Sequence, residues 1–177
     1  MSIRTHIRLT LILILLTIVC VVVNRHYRAV NPINEVINGH RWTVKHRGYP
    51  SQFGLLNHLL DIRVVDVELD SVIKNNQSIN QMHFYITPAD GNMAKFSIDY
   101  NAIWGVTREG HVKFDVDINS IKVAHVDAQI SQYVTQNFAT DLVVSMIGDT
   151  RKIIAVSQDE LIIEIPYLGI VRAVRTQ

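Results

Sequence analysis

Fifteen consecutive residues without a charge, Leu9 to Val23 (LTLILILLTIVCVVV), constrain this chain more than any other feature, because a helix so apolar has the bilayer as its natural solvent. Thr10 and Thr17 are its only hydroxyls. The run falls short of the ~20 residues that a hydrocarbon core requires. Its flanks lengthen it: Arg8 and Arg25 can snorkel, and His26 and Tyr27 suit a headgroup layer. No small-x-small site follows Val23, and Val19 rather than a small residue precedes the lone Cys20, which disfavours cleavage and lipidation. The expectation is an uncleaved signal-anchor over residues 9–26 behind a short basic tail of residues 1–8. This would make a single-pass membrane protein with its C-terminal domain outside the cytoplasm, periplasmic in a bacterium.

The remaining chain has room for one globular domain. Residues 27–50 read as a basic juxtamembrane neck running into a first strand, and residues 51–177 as the rest of a single α+β domain. Charge divides accordingly. Residues 1–47 carry seven Lys or Arg against Glu35 alone, whereas residues 48–177 carry ten bases against fifteen acids. A basic neck suits anionic headgroups, and the lack of a basic face further on disfavours nucleic acid.

Periodicity supplies the elements. Asn31-Pro32 opens a short helical turn that Gly39 closes, and His40–His46 alternates as a strand. Phe53, Leu55, Leu56, Leu59 and Leu60 follow at helical spacing behind Ser51. From Ile62 the period becomes two. Met82, Phe84 and Ile86, then Phe96, Ile98 and Tyr100, then Val112, Phe114, Val116 and Ile118 alternate with polar neighbours, which predicts an antiparallel meander. Ile130, Val134, Phe138, Leu142 and Met146 recur every four residues, which predicts a helix of about twenty residues capped by Asp127 and ended by Gly148. Three further strands follow, with Pro166 as a bend marker. The expected fold is α+β: a meander sheet packed on one long amphipathic helix.

In element order alone this resembles small envelope lipid-binding modules, in which a curved sheet wraps a long helix. It is also similar to the α+β domains of anchored subunits in bacterial secretion or conjugation machines. Neither resemblance rests on a motif, so no residue roles come with it.

Chemistry is sparse. Asp115 and Asp117 share a strand face with His111, and Asp66, Glu68 and Asp70 share another, but a water-facing sheet explains both without a cation. The eight histidines show no i, i+4 pair of the zinc type. Nucleophile elbows, phosphate loops and dinucleotide fingerprints are lacking, so no catalytic residue, metal or cofactor is expected. Trp104 and Ile103 beside a turn, with Trp42 and Tyr49, are candidates for an interaction surface. Phe114, Val116, Phe138, Leu142 and Ile163 are candidates for an apolar groove between sheet and helix. The functional expectation is a non-catalytic structural or assembly subunit contacting other membrane or envelope proteins. The alternative is a tethered module holding a lipid or other apolar ligand.

Overall fold

The computed structural model describes residues 14–22, 33–49, 61–89, 91–107, 109–148, 150–165 and 169–176. Nine strands dominate it: β1 (Arg41–Gly48), β2 (Ile62–Lys74), β3 (Gln77–Pro88), β4 (Ala94–Val106), β5 (His111–Val116), β6 (Lys122–Val126), β7 (Thr150–Val156), β8 (Glu160–Ile165) and β9 (Gly169–Thr176). Helical residues are 14–22 (α1), 33–37 (α2) and Gln136–Ile147 (α3).

The expected meander is present and longer than its three alternating runs, since β2, β3, β4 and β5 pair in succession, all antiparallel. The sheet does not stop there. β5 pairs β7, β7 pairs β8, β8 pairs β9, β9 pairs β1 and β1 pairs β2. Eight antiparallel strands therefore close into a barrel, and the α+β sheet-on-helix expectation is corrected. The physical reason is length and twist. Strands of 12 and 13 residues coil far enough to bring distant strands edge to edge, and closure removes unpaired sheet edges. β4 has three neighbours: β3 lies along one edge, while β5 (at Ala102–Val106) and β6 (at Phe96–Asp99) share the other. Tight turns set the register. The β2–β3 hairpin turns on Asn75 and Asn76, both at positive φ (51° and 62°), the conformation of a two-residue type I′ loop.

The long helix is corrected too. Asp127 does not cap it; its carboxylate accepts from the Lys95 backbone N–H (2.7 Å) and meets His125 Nε2 (3.0 Å), pinning β6 to β4. Both contacts hold the Asp127 carboxyl below its ordinary pKa, the backbone bond most. Residues 128–130 form a 3-10 turn, and α3 starts only after Thr135, whose hydroxyl accepts from the Phe138 N–H (3.2 Å). Ile130 and Val134 keep the helical spacing in sequence and reach the core from a turn instead.

The core has two parts. Towards the β2 start, α3 places Ala139, Leu142 and Val143 against Val65, Phe84, Phe96 and Ile98, where Phe84 stacks on Phe96 (4.5 Å) and Phe138 meets Phe96 edge-on (6.1 Å). Towards the β2–β3 hairpin, Trp42, Ile73, Trp104, Leu161 and Ile163 fill the barrel beneath α2, which plugs that end with Ile37 (1% exposed). The turn closing α2 at Gly39 (φ 82°) matches expectation, and the Gly39 N–H donates to the Ile73 carbonyl.

The expected anchor is corrected as well. Among the described residues no helix is long and apolar enough to cross a membrane. The single-pass signal-anchor and the periplasmic placement built on it therefore fall. The barrel wall itself points Lys45, Arg47, Asp66, Glu68 and Lys95 outwards and apolar residues inwards, the reverse of a lipid-facing barrel. The short tail of residues 1–8, the Asn31-Pro32 start, the helix expected after Ser51 and the Pro166 bend lie outside the described residues.

Candidate functional site

Strand alternation decides what each wall position meets, so residues that break it stand out. Along β3, Gln77, Gln81, His83 and Tyr85 point outwards, and Ile79 shares their parity. It is 68% exposed. Val72 faces outwards on β2 directly opposite Ile79, and Ile103 faces outwards on β4 one diagonal step away. Asn101, opposite Ile79, is bonded at its backbone N–H and C=O to the turn that follows β5, and Ile118 stands exposed at the head of that turn.

Val72, Ile79, Ile103 and Ile118 thus form an outward apolar strip across β2, β3, β4 and that turn. Asp99, Asp115 and Asp117 edge it. A shallow cleft of about 560 Å³ runs along it, lined by Ile79, Asn101, Ile103, Asp115 and Asp117 among others. Asp115 pairs with Lys113 (2.7 Å), and the Asp117 carboxylate caps the 3-10 turn through the Asn119 N–H (3.1 Å).

Of the residues singled out in the sequence for an interaction surface, Ile103 lies in this strip and is 60% exposed. Tyr49 is exposed at the far end of β1. Trp104 and Trp42 point inwards and are buried; the Trp42 indole N–H donates to the Ile37 carbonyl (3.0 Å), fastening α2. The five groove candidates divide between the two parts of the core. Phe138, Leu142 and Val116 sit with α3, Ile163 sits in the barrel beneath α2, and Phe114 touches both.

The acidic faces have local explanations. Asp66, Glu68 and Asp70 each stand opposite a β1 donor: Arg47 (2.7 and 3.0 Å), Lys45 (2.8 Å) and Thr43 (2.6 Å). These contacts raise the pKa values of Lys45 and Arg47, in each case chiefly through the hydrogen bond to the acid. Two cations counted in the basic neck are thereby engaged by the barrel's own wall. Among the described residues no cluster of three metal-ligating side chains forms.

Sequence reading missed Val72 and Ile79 because an isolated apolar residue on a wet face is common, and it put Ile118 on the apolar face of the third alternating run, whereas β5 ends at Val116 and Ile118 is exposed in the turn that follows. The available signal was parity: Ile79 sits between Gln77 and Gln81. Parity also marks the inside, where Ser71, Asn80 and Arg151 occupy inward positions otherwise held by Ile73, Met82 and Ile153. No protein-family model matches the chain, and no curated protein matches it.

Proposed function

We propose that this barrel is a non-catalytic assembly subunit that docks a protein partner on the Val72–Ile79–Ile103–Ile118 strip. One observation supports the reading above others: Val72, Ile79, Ile103 and Ile118 stand exposed at neighbouring outward positions on β2, β3, β4 and the turn after β5, beside three aspartates, whereas the other exposed apolar residues of the wall, Ile154, Ile170 and Val174, lie on β7 and β9. The acidic edge of Asp99, Asp115 and Asp117 selects a partner whose contact surface is apolar with lysines or arginines around it.

Magnitude limits the claim. Covering the exposed fraction of these four side chains is worth about 3–7 kcal/mol. That only matches the lower end of the ~4–15 kcal/mol that association costs, so the strip is the centre of a larger contact.

The test places a photo-crosslinking residue at Ile103 in the full chain, in cells. The expected result is one defined adduct with another protein, lost in Ile79→Asp and weakened by Asp115→Lys. An adduct of twice the chain's own mass, or one indifferent to Ile79→Asp, would overturn the reading.

A further inference from the structure

The inside of the barrel carries an independent feature. Between the two parts of the core lies a cavity of about 80 Å³, walled by Trp42, Val44, Leu69, Ile73, Phe114 and Leu161 among others. Of the groove candidates, Phe114 and Ile163 line it, whereas Val116, Phe138 and Leu142 do not. Ser71, Asn80, Tyr100 and Arg151 share the wall. These polar residues are bonded to their neighbours in the fold. The Ser71 hydroxyl donates to Asn80 Oδ1 (2.6 Å), and Asn80 Nδ2 donates to Ser78 Oγ (3.0 Å) and to the Tyr100 carbonyl (3.3 Å). Arg151 Nη2 donates to the Met146 carbonyl in the last turn of α3. What faces the cavity is almost wholly apolar surface.

From this geometry we infer that the barrel lumen seats a neutral, apolar small molecule of about three or four non-hydrogen atoms, held by burial and dispersion alone. Polarity sets the class. A buried water makes about three hydrogen bonds, and here Ser71 and Asn80 already bond to each other. An ion would shed its hydration against a hydrocarbon wall. An apolar molecule gives up nothing on entering, and it restores the contacts that lining side chains lack across an empty space. Volume sets the size. An apolar cavity of ~150 Å³ takes benzene, so about half that volume admits roughly three or four carbons and is far too small for a membrane lipid. Closure sets the place. Eight strands in a ring enclose room for side chains or one small ligand. Side chains fill the α3 end and the α2 end, and the cavity is the space left between them.

The experiment titrates the full-length protein with isobutene, acetone and acetate, which share one branched shape and differ in polarity and charge, and with the larger toluene. Methyl NMR reads the site directly. Isobutene should shift the methyl signals of Val44, Leu69 and Leu161 and bind about tenfold or more tighter than acetone, whose carbonyl would be buried without a donor. Acetate and toluene should leave those signals unmoved. Ala173→Leu, which fills the cavity from β9, should abolish isobutene binding. Should that variant fail to fold, Leu69→Ala enlarges the cavity and should admit the toluene that the parent rejects. Four results would overturn the inference: no isobutene binding, which leaves a void or a water-filled space; equal affinity for acetone and isobutene; undiminished binding by Ala173→Leu; or a Leu69→Ala variant that still refuses toluene. None of these bears on cross-linking at Ile103, so the outer strip and the lumen stand or fall separately.

Discussion

Replacing Asn80 by leucine tests whether the inward polar cluster is a liability that the fold carries. Asn80 is 3% exposed and accepts from the Ser71 hydroxyl at 2.6 Å. Leucine removes that acceptor, while the neighbouring cavity of about 80 Å³ gives the larger side chain room. The Ser78 hydroxyl keeps its bond to the Ala102 carbonyl (3.3 Å), so the group left without a partner is the Ser71 hydroxyl. An orphaned buried hydroxyl costs about 1–3 kcal/mol, and Asn80→Leu should destabilise the barrel by that amount. Ser71→Ala alone strands Asn80 Oδ1 instead and should cost about 1–2 kcal/mol. The double variant strands neither, so its cost should fall below the sum of the singles by about 1–2 kcal/mol. Urea unfolding of all four proteins measures this, with the midpoint moving and the slope unchanged. Additivity within about 0.5 kcal/mol would refute the reasoning, because the Ser71 hydroxyl would then have to find another acceptor inside the barrel.

Two further outcomes follow from the same structure. His46 faces inwards, and its Nε2 is buried with no hydrogen-bond partner among the described residues; desolvation holds the ring's pKa below its ordinary value of 6.5. The unfolded chain therefore takes up the proton first, and stability should be lost as pH falls below about 6.5, by at most ~1.4 kcal/mol per pH unit. His46→Leu should flatten that part of the stability–pH curve relative to the parent, and parallel curves would count against it. Thr135→Ala should cost about 1 kcal/mol through loss of the α3 cap, whereas Asp127→Ala should leave α3 helicity intact and speed amide exchange in β6. Equal loss of α3 protection in both variants would put the helix start back at Asp127.

The wall of this protein was legible from its residues, and its closure was not. Alternation through Phe84, Phe96 and Val112 is a local property that reports a half-buried strand wherever that strand ends up. Pairing of β9 with β1, or β5 with β7, joins segments far apart in the chain, and no local period encodes it. The helix was overextended for the converse reason. Ile130 and Val134 fit a four-residue spacing, yet Ile130 ends a 3-10 turn and Val134 lies in the link after it, both buried without belonging to α3, and Thr135 as the cap was hidden inside the pattern. Of the strip, Ile103 was visible because it stands beside Trp104 and a turn. Val72 and Ile79 become a surface only once β2 and β3 are laid in register.

The way the chain enters the barrel has a mechanical consequence. α2 is fastened by the Trp42 indole, and the next strand, β1, is held on one flank by eight residues of β2 and on the other by four of β9. A pull on the N-terminal segment is therefore delivered to the middle of a closed ring, where two ladders must yield together, instead of to a lone edge that could peel away bond by bond. A protein that bears tension from its leading end while presenting its flank to a neighbour would gain from that arrangement.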